Sequence, residues 1–123
     1  MTMRNSIMAA RTSGPARQPD GAALFEFRFG AADLTFAGHF PGQPILPGVF
    51  QLEMARMAAE WVLNCALTVR EISRAKFLAP ILPEQFVRME LKLSESDGLV
   101  QARAGFFVNA KTVGEVFLSL SRS

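Results

Sequence analysis

Apolar and polar residues alternate most cleanly over residues 85–95. There Val87, Met89, Leu91 and Leu93 interleave with Arg88, Glu90 and Lys92, and this period of two predicts a strand with one buried face. Asp97-Gly98 then predicts a hairpin turn. Residues 99–108 alternate less strictly, residues 109–112 read as a second turn, and Val116, Leu118 and Leu120 share one face of a strand over 113–120. Upstream, residues 22–29 predict a first strand carrying Leu24, Phe25, Phe27 and Phe29. A short strand over 71–78 stops before Pro80 and Pro83. Between these lies residues 49–67, free of Pro and Gly and made largely of helix formers. Its apolar residues, among them Val49, Phe50, Leu52, Met54, Met57, Trp61, Val62 and Leu67, cover most of a helical circumference. A helix of that kind is expected to be buried.

The predicted order is therefore strand, long helix, then four strands, three of them joined by tight turns. One helix cannot hide its own far side, so the expected architecture is α+β, an antiparallel sheet curled round a single helix. The chain has 123 residues, half of them hydrophobic, enough for one domain and one core but too few for two. Eleven Phe and no Tyr suit a core that asks for bulk without a hydroxyl to satisfy.

Charge separates the first twenty residues from the rest. Residues 1–20 carry Arg4, Arg11, Arg17 and Asp20 and hold the whole net charge of +2, while residues 21–123 balance ten basic against ten acidic side chains. A nucleic-acid reader would carry its positive charge on the folded face, so that class is disfavoured. The leading segment mixes Ser, Gly, Pro and Arg without a sustained apolar period. It reads as a disordered tail, with the folded domain over 21–123. It lacks the apolar run of a secretory signal, and no stretch is long and apolar enough for a membrane span. The single Cys65 has no partner for an internal disulfide and sits among apolar neighbours. An inert core thiol in a reducing, cytoplasmic compartment is the expectation.

Candidate chemistry concentrates at residues 39–53, HFPGQPILPGVFQLE. Three prolines and two glycines within the first ten residues stiffen a loop that begins at His39, the only histidine. Pro47 and Gly48 open the long helix, whose first N–H groups lack intrahelical partners and lie at the positive end of the dipole. Such donors suit an oxyanion forming on a carbonyl. Glu53 follows among Phe50, Leu52, Met54 and Ala55, surroundings that would raise a carboxyl pKa and keep it protonated. A neutral imidazole, a carboxylic acid and an oxyanion donor are what elimination of water from a 3-hydroxyacyl thioester requires. His39 would be the base for the C2 proton, Glu53 the acid for the departing hydroxyl, and the Gly48 N–H the ligand of the thioester oxygen. No cofactor is needed.

The same stretch resembles the active-site signature of the 3-hydroxyacyl-[acyl carrier protein] dehydratases of the FabA/FabZ type, with a His heading HFPGxPxxPGV and an acid fourteen positions later. Glu53 falls on that acid, as Glu in the FabZ branch. The similarity extends through SRAKFLAPILP at residues 73–83 and the closing strands, and so covers residues 22–121. It implies a hotdog fold assembled as a homodimer or trimer of dimers, acting on an acyl chain held by acyl carrier protein. It also implies that His and acid come from different subunits. By the same resemblance the Gly48 N–H is the oxyanion donor, the Ile45 carbonyl orients the imidazole, and Phe40, Pro41, Gly42, Pro47 and Val49 line the substrate. The chain departs from the FabZ pattern in lacking an HRYPF-like segment before the first strand and in carrying Pro83-Glu84-Gln85 where a PGD turn is frequent. Those departures and the LPGVFQL wording resemble the aryl-polyene or polyketide-type dehydratases.

Blander roles compete at several positions. Glu53 could pair with Arg56 one turn on, and the Arg56–Glu60 pair, in the weaker orientation, is expected to be merely solvated. Arg74 and Lys76 could attract an acidic carrier protein, although charges on an edge strand are the commoner explanation. One His and one Cys cannot assemble a usual metal site, and no nucleophile elbow is present. A hotdog thioesterase and a non-catalytic hotdog subunit that binds acyl carriers are the alternative functions.

Overall fold

The chain is represented by a computed structural model that describes residues 2–33, 36 and 44–123. Among the described residues eight elements follow in order: α1 (Met3–Ala10), β1 (Arg11–Arg17), β2 (Ala23–Arg28), α2 (Gly48–Leu63), β3 (Leu67–Phe77), β4 (Phe86–Ser96), β5 (Leu99–Val108) and β6 (Lys111–Arg122). The six strands form one antiparallel sheet in the order β1-β2-β4-β5-β6-β3, and α2 packs against it. This is the α+β hotdog architecture expected from the pattern and the resemblance.

The alternation translates directly into burial. Val87, Met89 and Leu91 of β4, Ala102, Ala104 and Phe106 of β5, and Val116, Leu118 and Leu120 of β6 are buried together against the helix. Register follows from the turns. Asp97-Gly98 and Asn109-Ala110 both hold positive φ at their two central residues, the twist that a two-residue hairpin needs, and they pair Ser96 with Leu99 and Val108 with Lys111. The buried face of α2 carries Phe50, Gln51, Met54, Ala55, Met57, Ala58 and Ala59. Its three alanines let the helix axis approach the sheet closely. The outer face is not enclosed within one chain: Val49 is 50% exposed, and Leu52, Trp61, Val62 and Leu63 are only partly covered.

Two expectations are corrected. The helix ends at Leu63 rather than at residue 67, because Asn64 adopts the left-handed conformation (φ 54°) and caps it, its N–H bonding the Glu60 carbonyl. Residues 67–70, read as its last turn or as connection, open β3 instead. The leading segment is also not a disordered tail. Thr2 caps α1, its Oγ1 accepting from Asn5 N at 3.1 Å, and Met3, Ile7 and Ala10, spaced as one helical stripe, pack on the core. β1 then joins the edge of the sheet through Ser13↔Glu26 and Ala16↔Leu24. Gly14 and Pro15 signalled irregular chain, but both fit an edge strand with a shifted register. Gly14 has φ 102°, and a Cβ there would meet the backbone of Leu24 and Phe25, while Pro15 is tolerated where no ladder bond is owed on its outer side. Arg11 lies 4.0 Å above the centre of the Trp61 ring, which itself packs on Phe25 and Phe27.

Candidate active site

The start of α2 is held from outside the helix. Leu46 N–H donates to the Ile81 carbonyl at 2.8 Å, so the segment before the helix runs beside the stretch that follows β3. Leu78 N–H and Ala79 N–H both donate to the Val113 carbonyl, fixing that stretch to β6. Pro47 is the N-cap residue and offers no side-chain cap, and the first turn holds no acidic residue. Among the described residues, the leading N–H groups of the helix, from Gly48 on, therefore have no side-chain cap at the positive end of the dipole. They border a cleft of about 600 Å³ lined by Ile45, Pro47, Gly48, Gln51, Phe77 and Ile81 among others, with mostly apolar walls. The Phe77 ring lies against Gly48 so closely that a Cβ there would fall within 3.0 Å of it, which is a physical reason for glycine at this position.

Of the residues singled out in the sequence, Ile45, Pro47 and Gly48 meet at this cleft. Val49 turns outward. His39, Phe40, Pro41 and Gly42 lie outside the described residues. Glu53 does not line the cleft beside Gly48. Five residues of α-helix advance about 140° round the axis, so within one chain the two positions look in different directions.

Glu53 is also not an isolated carboxyl in apolar surroundings, which corrects that expectation. Its side chain is 26% exposed and lies bidentate on the Arg56 guanidinium, with Arg56 Nε 3.1 and 3.0 Å from the two carboxylate oxygens and Nη2 bonding Oε1. The Arg56–Glu60 pair, expected to be solvated, is partly buried instead. Arg56 Nη1 sits 2.8 Å from Glu60 Oε2 and donates to the Leu67 carbonyl at 3.1 Å, while Leu67 N–H donates back to Glu60 Oε2 at 2.9 Å. The hydrogen bond to Glu53 first, opposed by burial and then reinforced by the charges of Glu53 and Glu60, raises the Arg56 pKa above the ordinary arginine value.

Sequence reasoning missed Gln51, Phe77 and Ile81 as cleft residues. They are contributed by elements brought together only by the fold, although Gln51, a polar residue in an apolar helix, was a visible signal. Arg74 pairs across the strands with Glu115 at 3.3 Å, as an edge-strand charge would, and Lys76 stands opposite Glu115 in the register. Among the described residues no group of His, Cys, Asp or Glu could hold a metal ion, and no helix is long and apolar enough to cross a membrane.

One long helix in a curled antiparallel sheet, with its N-terminus opening on an apolar cleft, places the chain among the hotdog proteins. Within them it belongs to the ApeI-like family, whose model, described as ApeI dehydratase, matches residues 16–113. The 3-hydroxyacyl-[acyl-carrier-protein] dehydratase FabZ of Pelotomaculum thermopropionicum is 34% identical over 91 residues, 68% of this chain and 65% of that protein. FabZ of Chlamydia trachomatis serovar L2 is 35% identical over 98 residues, 68% of this chain and 61% of that one. The chain thus spans less than two thirds of the length of these curated relatives. In solved structures, the dehydratase heterocomplex ApeI:P from Xenorhabdus doucetiae shares the fold with a TM-score of 0.74 and 24% identity, over 91% of this chain and 96% of that one.

Proposed function

We propose that the chain dehydrates (3R)-3-hydroxyacyl groups carried as thioesters on acyl carrier protein to trans-2-enoyl thioesters, as a cytoplasmic homodimer without a cofactor. The observation that carries this reading is the start of α2 at Gly48, without a side-chain cap among the described residues and opening on an apolar cleft at the end of the HFPGQPILPG segment. The Gly48 N–H binds the thioester oxygen as the C2 proton leaves, and neutral His39, oriented by the Ile45 carbonyl, takes that proton. Glu53 of a second copy protonates the departing hydroxyl. The phase of α2 supports a site shared in this way, because Glu53 and Gly48 of one chain face different directions. β3 supports the dimer. It is an edge strand, exposed along nearly its whole length, and carries Val69, Ile72 and Phe77 uncovered.

The test is turnover of a panel of 3-hydroxyacyl-acyl carrier proteins, followed by enoyl formation, with His39→Ala and Glu53→Ala alongside. Each loss is expected to cost on the order of 10²–10⁴-fold in rate. Release of free carrier thiol in place of enoyl product would favour a thioesterase. A folded dimer that is inactive on every chain length would overturn the reading in this form. Turnover restored only by a partner hotdog subunit would mark the chain as the non-catalytic half.

A further inference from the structure

We infer that Arg56 is the positioning residue of the proton donor: it fixes the Glu53 carboxyl in place and stabilises the carboxylate left behind when the proton departs with the hydroxyl. The inference rests on the dehydratase reading and goes beyond it, because Arg56 touches no reacting atom.

Glu53, Arg56 and Glu60 lie three and four residues apart and so share one face of α2. Glutamate side chains on a helix surface ordinarily sample several rotamers. Here both oxygens of Glu53 are engaged by one guanidinium, and among the described residues Arg56 is the only partner of that carboxylate. Arg56 is itself clamped at its far end. Nη1 is held by Glu60 Oε2 at 2.8 Å and by the Leu67 carbonyl at 3.1 Å, and Glu60 is pinned in turn by Leu67 N–H. The fourth charged group facing this cluster, Arg4 of α1, stands 3.8 Å from Glu60 with its side chain mostly exposed and adds little. The planar fork of arginine can hold a carboxylate edge-on while its other nitrogen is anchored elsewhere, which a lysine ammonium cannot do.

A purely structural brace between α2 and the start of β3 would need only the Glu60 and Leu67 contacts. The limb that reaches Glu53 contributes nothing to that join, and it ends on the residue assigned to protonate the leaving group. In the proposed step the C2–H and C3–O bonds break: His39 takes the C2 proton, and Glu53, which must enter the step as the carboxylic acid, gives its proton to the departing hydroxyl to form water. The negative charge then left on Glu53 lies against the guanidinium.

Arg56→Met, Arg56→Lys, Glu60→Gln and the Arg56→Met/Glu60→Gln double variant test this in the full-length dimer, with kcat, KM and Tm measured for each. Arg56→Met is expected to lower kcat by about 10- to 100-fold with KM little changed, the cost of a misplaced catalytic group. Arg56→Lys is expected to recover part of the loss. Glu60→Gln should cost less than Arg56→Met and add nothing to it, since Glu60 acts through Arg56. A kcat for Arg56→Met within about twofold of wild type, a Lys variant no better than Met, or kcat losses that merely track Tm would each overturn the inference. Should Arg56→Met fail to fold, Arg56→Lys and Glu60→Gln decide it by the same comparison. A wild type without turnover overturns the dehydratase reading and this inference with it, whereas an active wild type indifferent to Arg56 overturns this inference alone.

Discussion

Gly114→Ala is a small change whose cost the structure locates in one neighbour. Gly114 lies in β6, opposite Phe77 of β3 and Phe106 of β5. A Cβ built there falls well inside 3.0 Å of the side-chain oxygen of Gln51, with Gln51 Cδ at 3.2 Å and the Lys76 carbonyl at 3.3 Å. Gln51 is 2% exposed on the sheet side of α2, so its amide can give way only toward the cleft that it lines. Overpacking of this kind costs about 1–3 kcal/mol. Replacing glycine in a strand interior returns about 0.5–1 kcal/mol through the unfolded chain. The net expectation is a destabilisation of about 0–2.5 kcal/mol. Removing the obstructing amide separates the two contributions. In a Gln51→Ala background the overlap is gone, and Gly114→Ala should become neutral or stabilise by up to about 1 kcal/mol. The assay is urea unfolding of the four proteins of the cycle at one fixed protomer concentration, because the proposed dimer would make stability concentration-dependent. A coupling energy of about 1–3 kcal/mol is expected. Equal costs in both backgrounds would refute the reasoning and assign the penalty to the Lys76 carbonyl and the β3–β6 ladder.

Further substitutions test other parts of the structure. Ile7→Ala removes the buried anchor of α1 and should cost about 2–5 kcal/mol by denaturant unfolding; no change would mean that the first ten residues do not pack on the core. Asn64→Gly should stabilise slightly and Asn64→Ala cost about 1 kcal/mol in thermal unfolding, since the capping position holds φ 54°. Ile72→Lys on the exposed edge of β3 should shift the proposed dimer toward monomer in sedimentation velocity, and an unchanged mass would exclude β3 from such an interface.

The strands after the helix were legible because Val87, Met89 and Leu91 alternate with charges and because Asp97-Gly98 and Asn109 demand particular turns. The helix start was legible from Pro47-Gly48, but its end was not. The apolar run through Val62, Leu63 and Leu67 continues past Asn64, and only the left-handed conformation of Asn64 shows the break. The first twenty residues misled for a compositional reason. Gly14 and Pro15 mark disorder in most contexts, yet they also suit a bulged edge strand, and α1 is too short for Met3, Ile7 and Ala10 to form a conspicuous stripe. At the candidate site, the motif singled out Gly48 and Glu53 as candidates, whereas the clamp on Glu53 depends on Leu67, which only the folded chain brings to Arg56.

The fourteen-residue spacing from His39 to Glu53 is therefore not a measure of how closely the two approach within one chain. A span that enters a helix at Gly48 and reaches Glu53 five residues later has turned about 140° away from the cleft that the helix start defines. Glu53, the proposed proton donor, faces outward on that side, beside Val49 and Leu52, on the part of α2 that one chain leaves incompletely covered. A second copy closing over that surface would bury the apolar residues and bring its own helix start toward Glu53. One contact would then complete both the core and the chemistry. On this argument a β3-edge variant such as Ile72→Lys should lose dehydration in parallel with dimer content. Mixing it with an active-site variant of the other half should restore turnover only under conditions where the two chains associate. Full activity in a demonstrated monomer would show that His39 and Glu53 meet within one chain after all.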